Sequence, residues 1–325
     1  MSGMNVATTE KKKLKLGKGS ELTLLIAFIL ICVAFGILCK PFFTVNNFLN
    51  IGIYTAITGI AATTMTLILI QGCIDISVGS IMGFTGMVAA IMLRAGLNTG
   101  VAILVAFLLG LGCGIFNGAL VSKVKINSMI ATLATMSIFR GAAYLTNDGI
   151  SVVINDTAFK WLGRGYVGPI PFLIVIMLAI YIVVWYVSKY TAFGRKIYAT
   201  GANQRASYLS GIKTDRIFWI GYMLNGMVAG LAGILMAAQA GSGLPTAGEG
   251  YEMTVISACI LGGTSLNGGK GSVWGAFLGA LMLTTITNGL TMMAVPTFYQ
   301  QIIKGAILLL AVFIDVLRSG GYKKK

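Results

Sequence analysis

LILIQGCIDISVGSIMG, residues 67–83, sets a single acidic side chain, Asp75, between two apolar runs that each suit a lipid bilayer. The runs, near 48–71 and 76–93, are continuously apolar, so they read as helices; a barrel strand would alternate over segments of about ten residues. A carboxylate at that junction has three readings: a proton relay, a ligand for a solute, or the cap of the helix that follows.

Composition fixes the class. Hydrophobic residues make up 57% of the 325 and charged residues 10%, with a mean hydropathy of +0.88, whereas a soluble domain carries about a quarter charged residues. The chain reads as an integral membrane protein. Its formal net charge of +15 does not point to nucleic acid, because the Lys and Arg sit at the ends and in a few loops. The partner they suit is anionic membrane lipid at the inner leaflet. Cys32, Cys39, Cys73, Cys113 and Cys259 lie mostly in apolar runs without framework spacing and read as small core residues, not as disulfides. KKKLKLGK followed by an apolar run looks like a secretory signal, but no A-x-A-like site follows, so a retained first helix is expected.

A bilayer core requires roughly 20 apolar residues per helix. Such segments fall near 22–39, 48–71, 76–93, 99–121, 127–146, 170–188, 217–240, 251–263, 272–294 and 299–317. The fold expected is all-α and polytopic, with about ten transmembrane helices. A basic tail spans 1–21, one transmembrane domain 22–317, and a second basic tail 318–325. With the N-terminus inside, eighteen Lys and Arg fall on the inner side and four, Lys40, Arg94, Lys160 and Arg164, on the outer side. That bias puts both termini in the cytoplasm and supports an even helix count.

Glycine numbers 43 and recurs at small-xxx-small spacing: Gly79–Gly83, Gly110–Gly114–Gly118, Gly226–Gly230 and Gly271–Gly275–Gly279. Such spacing lets helix backbones approach closely, and it also permits helices to slide. The longest hydrophilic stretch, 189–216, carries Tyr190, Phe193, Ile197, Tyr198, Tyr208, Leu209 and Ile212, with Gly194, Gly201 and Gly211 as punctuation. It is too apolar for a flexible linker. ANQRASYLS, between Gly201 and Gly211, has the length of a short helix that docks into a partner's groove, the alternative being a loop folded on its own membrane domain.

The absence of histidine excludes histidine proton shuttles and Ser-His arrangements. GGTSLNGGKGS, 262–272, fails as a phosphate-binding loop, since Thr264 stands where the first glycine belongs and Gly271 follows Lys270 where a hydroxyl residue is required. Ionisable residues in the spans are few: Asp75, Arg140 and Lys304, with Glu252 and Asp315 at the ends. That leaves little for an ion-coupled relay.

FFTVNNFLNI at 42–51, MTLILIQGCIDISVGS at 65–80, FGRKIYATGANQRASYLSGI at 193–212, PTAGEGYE at 245–252 and ILGGTSLNGGKGSVWGAFLGALML at 260–283 resemble the permease subunit of monosaccharide ATP-binding cassette importers of the ribose, xylose and galactose type, within the branched-chain amino acid and sugar permease superfamily. The resemblance covers roughly 22–316 in matching order. It implies about ten helices around a pathway for a ribose-like monosaccharide, in a bacterial cytoplasmic membrane. It also implies a second permease copy, identical or not, an extracytoplasmic sugar-binding protein, and a separate ATP-binding subunit. ATP and magnesium would be used by that subunit, and this chain would bind no cofactor or metal and be no enzyme. Gly194, Arg195, Gly201, Asn203, Ala206, Ser210 and Gly211 would form the loop that enters the ATPase. Asp75, Ser77, Val78 and Gly79 match the family's glycine-rich SGGIDLSVG-like string, but Gln71, Gly72 and Cys73 depart from it.

The outer stretch 241–252, with Glu249 and Glu252, and the loop 145–169 are the expected docking surfaces for the binding protein. Thr63, Thr64, Thr66, Asn225 and Asn288 are candidate pathway lining, though each more often makes an interhelical hydrogen bond. The rival functions are a permease for another solute, such as a branched-chain amino acid or a sugar derivative, an ion-coupled carrier, and an intramembrane enzyme, for which no nucleophile-base pair is visible. At the turn between two spans, Asp75, Ser77 and Gly79 favour a cap for the following helix, with a gating role as the alternative.

Overall fold

The structure, a computed structural model, describes residues 19–318. The two basic tails lie outside the described residues except where they enter the first and last helices. Thirteen helices and four two-residue strands follow in order: α1 (Gly19–Leu38), α2 (Val45–Ile70), α3 (Val78–Arg94), α4 (Thr99–Ser122), α5 (Ser128–Leu145), β1 (Val152–Val153), α6 (Thr157–Arg164), β2 (Tyr166–Val167), β3 (Ile170–Pro171), α7 (Phe172–Tyr190), α8 (Ala192–Ala202), α9 (Gln204–Leu209), α10 (Thr214–Ala240), β4 (Ser242–Gly243), α11 (Tyr251–Leu261), α12 (Val273–Met292) and α13 (Thr297–Arg318).

Each of the ten apolar segments read from the sequence lies on a helix. Among the described residues, α2, α4, α7, α10 and α12 are long and apolar enough to cross a membrane. The mostly helical, polytopic architecture expected from composition is the one the structure has. The most apolar stretch of α2 is 89% buried and that of α10 67%, against 28% in α4 and α7, so α2 and α10 form the centre and α4 and α7 the apolar flank. The five cysteines are free thiols, four of them buried.

Glycine decides how α10 meets α4. The two run antiparallel, with Gly110 against Gly226 and Gly230, Gly114 against Tyr222 and Gly226, and Gly118 against Trp219. A methyl group on Gly110 would come 2.8 Å from the Gly226 carbonyl oxygen. The seam is the close backbone approach expected of small-xxx-small spacing.

Two helices start beside the middle of others. α3 runs parallel to α10 but begins near Asn225, halfway along it, and continues past Gly230 and Gly233. α11 begins opposite Gly79 of α3 and descends along α2 until Cys259 meets Ala62 and Thr66. Non-helical chain leads into each, 71–77 before α3 and 241–250 before α11. The second lead is pinned at its start, where β4 pairs antiparallel with β1 and Arg164 of α6 donates from Nε to the Gln239 carbonyl (2.7 Å) and from Nη2 to that of Ala240 (2.6 Å).

Gly194 and Gly201 do not punctuate turns as their spacing suggested. Both lie inside α8, where a side chain on Gly194 would strike the Ser188 carbonyl and one on Gly201 that of Ile70. Close approach, not turn geometry, requires glycine there. Gly211 does sit in a turn, at φ +84°.

Candidate functional site

Non-helical backbone inside a bundle persists only where the protein itself satisfies it. In 71–77 the first three amides return to α2, from Gln71 to Leu67 (3.0 Å), Gly72 to Leu69 (2.9 Å) and Cys73 to Ile68 (3.1 Å). Side chains then take over. The Ile74 amide donates to Ser128 Oγ (3.4 Å) and the Ile76 amide to Thr132 Oγ1 (3.1 Å), both on α5, while the Tyr222 hydroxyl of α10 donates to the Ile74 carbonyl (3.0 Å).

Asp75, with no exposed surface, is the node. Its Oδ1 accepts from the Ser77 amide (2.9 Å) and the Ser77 hydroxyl (2.7 Å), and Oδ2 accepts from Asn225 Nδ2 (2.9 Å). Asn117 Nδ2 of α4 donates to Ser77 Oγ (2.8 Å), and the Thr64 hydroxyl of α2 donates to Asn225 Oδ1 (3.0 Å). Thr64, Asn225, Asp75, Ser77 and Asn117 thus form one buried chain through α2, α10, the α3 lead and α4. None of the other four titrates near neutral pH, and their bonds tie α2, α4, α10 and the α3 lead together as a clamp. Asp75 holds the residue just before α3, and α3 receives no side-chain bond from its own N-cap residue Ser77.

Above this knot, 244–250 lies against the first turns of α3. Gly79 and Gly248 meet backbone to backbone, and Glu252 Oε2 fits beside Gly79 because no Cβ stands there. Arg140, reaching from α5, donates from Nη1 to the carbonyls of Pro245 (2.5 Å) and Ala247 (2.7 Å) and lies in the field of Glu249 and Glu252. The two glutamates therefore sit halfway along the long helices, recessed from the end of α10, where the sequence placed an outermost loop. Their recess follows from the short α11, which leaves its lead to fill the depth a full helix would span.

At the opposite end, α8 sits on the turn that closes α2. The Gly269 amide donates to the Ile70 carbonyl (2.8 Å), against which Gly201 packs, and Tyr198 donates its hydroxyl to the Gly271 carbonyl (3.0 Å). Burial pushes the Tyr198 phenol up, which keeps that donor protonated. Beyond it, Asn203 caps α9 by accepting from the Ala206 amide (2.9 Å), Ser210 donates to the Ala206 carbonyl (2.9 Å), and Arg195 donates to the Tyr190 carbonyl (3.4 Å). Tyr208 and Leu209 are 68% and 78% exposed and form an apolar tip. Lys125 and Asp215 form an ion pair at the same end.

Residues 47–312 match the profile of a family described as the branched-chain amino acid transport system / permease component. The chain belongs to that permease family. It is 40% identical over 295 residues to the ribose import permease protein RbsC of Escherichia coli strain K12, covering 90% of this chain and 92% of the relative. Identity to the ribose import permease protein RbsC of Bacillus subtilis strain 168 is 37% over 314 residues, covering 96% and 98%. The L-arabinose ABC transporter permease protein AraH of Azospirillum brasilense is 35% identical over 295 residues, covering 91% and 87%. No solved structure matches this permease.

Within the permease, the residues singled out from the sequence divide into three groups: Asp75, Ser77 and Gly79 at the start of α3, Glu249 and Glu252 beside them, and Gly194 to Gly211 at the far end. Gly79 joins the first two groups. Of the polar lining candidates, Thr64 and Asn225 belong to the clamp, Thr66 bonds Ala62 and Cys259, and Thr63 bonds Ile60. Asn117 and the loop-holding role of Arg140 escaped the sequence reading. Their signal was an amide and a guanidinium inside otherwise apolar helices, residues that rarely enter a span without a task.

Proposed function

We infer that this permease is the transmembrane subunit of an ATP-binding cassette importer and forms the pathway for a monosaccharide. The observation that carries this reading is the identity of 37–40% to ribose import permeases over nine tenths or more of the chain. The geometry supports it. A bundle with two helices that begin halfway along their neighbours, clamped together there, is built to hold a central path while its ends move.

The helices α1–α5, α7 and α10–α13 are ten spans with both termini cytoplasmic, in the inner membrane of a bacterium. The α8–α9 element, with its exposed Tyr208 and Leu209, enters a groove of the separate ATPase, which binds ATP and magnesium. An extracytoplasmic binding protein delivers the sugar to the outer face, where 145–169, together with the stretch that leads to Glu249 and Glu252, receives it. A second permease copy completes the path. The family's description leaves a branched-chain amino acid as the competing cargo. Purified permease, ATPase and binding protein, reconstituted together, should take up a radiolabelled pentose only with ATP and binding protein present. Uptake by the permease alone on an ion gradient, or uptake of leucine instead of pentose, would overturn it.

A further inference from the structure

Glu249 is exposed and Glu252 half-exposed, yet both stand halfway along the membrane-crossing helices, next to Arg140 and the start of α3. A charged side chain facing lipid at mid-bilayer is costly, so such groups face a bundle interior or water. The carboxylates do not serve α11 as caps, because its N-cap is Gly250 with no side-chain bond. Among the described residues neither carboxylate accepts a hydrogen bond, and Arg140 spends Nη1 alone on the carbonyls of the loop. Glu249, Glu252 and the remaining N–H groups of Arg140 therefore keep hydrogen-bonding capacity free beside one another.

We propose that Arg140, Glu249 and Glu252 form a polyol-binding station halfway along the path, through which the solute's hydroxyl groups are handed during transport. Carboxylate oxygens accept from hydroxyl hydrogens, and the spare N–H groups of the guanidinium donate to hydroxyl oxygens, so the set matches a neutral, many-hydroxyl solute on both counts. The station rests on the sugar-import reading for its ligand but not for its exposure to water. Each hydroxyl bonded there is released again by exchange with water, so the site binds weakly and passes the solute on.

The test uses the whole complex in sealed proteoliposomes, with D-ribose as probe. Glu249→Cys should react with a charged, membrane-impermeant thiol reagent at the rate of an aqueous cysteine, whereas the native chain, with four of its five thiols buried, reacts little. Glu252→Gln and Glu249→Gln should each lower ribose uptake about tenfold while ATPase stimulation by loaded binding protein stays within about twofold of the native complex. If Glu252→Gln fails to assemble, Glu249→Gln, whose side chain is exposed, gives the same reading. An unreactive Glu249→Cys, as burial against a second copy would produce, or full uptake in the Gln variants, would overturn the station. Native complex that takes up no ribose while Glu249→Cys still reacts would instead overturn the sugar reading and leave the water-lined face standing.

Discussion

Asp75 works because everything around it donates. Three donors fill its two oxygens, and two of them are held by a further helix, the Ser77 hydroxyl by Asn117 and the Asn225 amide by Thr64. Asp75→Ala should lower the stability of the detergent-solubilised permease by about 2–4 kcal/mol, since it strands the Asn225 amide and the Ser77 hydroxyl in a buried site. Asp75→Asn alone sets an amide against the Asn225 amide, and Asn225→Asp alone sets two carboxylates together. The double exchange Asp75→Asn with Asn225→Asp restores every bond. The amide introduced at position 75 keeps an oxygen to accept from Ser77 and donates its N–H to the carboxylate introduced at position 225, which still accepts from Thr64. Thermal unfolding should therefore show the double variant closer to native than Asn225→Asp, a coupling that a solvent-facing carboxylate would not produce. If the clamp instead relays protons, Asp75→Asn would unfold like the native chain but lose uptake.

At the scale of the element, Gly201 bears on the last carbonyl of α2 just where 71–77 begins, so on the proposed function a partner gripping α8 and α9 would move the α3 lead. Gly201→Ala should leave the permease inserted and bound to the ATPase but cut ATP-driven uptake by about tenfold or more, read as ATP consumed per sugar carried. Asn203→Ala removes the α9 cap and should weaken copurification of the ATPase, at a cost of about 1 kcal/mol to the helix. The spacing between Gly201 and Gly211 announced α9 but concealed α8, since Gly194 and Gly201 carry the same letter as turn glycines and only the tertiary approach of Ser188 and Ile70 explains them. Apolar length likewise located α2, α4, α7, α10 and α12, because lipid imposes that length directly. The depth at which α3 and α11 begin was hidden: hydropathy reports how much apolar chain is present, not which neighbour it lies beside.

Over the whole molecule, α3 and the lead into α11 meet through glycine beside the start of α3, and this seam joins the clamp below to the charged groups above. A Cβ on Gly79 would strike the Gly248 carbonyl and Glu252 Oε2 together. The side-chain part of that clash can swing away, but the carbonyl is fixed by a loop whose Gly248 and Gly250 both hold positive φ and whose Pro245 and Ala247 carbonyls are tied to Arg140. Gly79→Ala should thus push α3 and that lead apart, lowering the thermal midpoint and abolishing uptake in reconstituted complexes. Removing the side chain in Gly79→Ala/Glu252→Ala should not rescue either property, because the backbone collision remains. Gly112→Ala supplies the control, since that glycine of α4 has no atom of another element within 4 Å of the added carbon, and it should leave stability and uptake at native levels. Equal tolerance of Gly79→Ala and Gly112→Ala would mean that α3 and the lead into α11 are not in contact in the working permease.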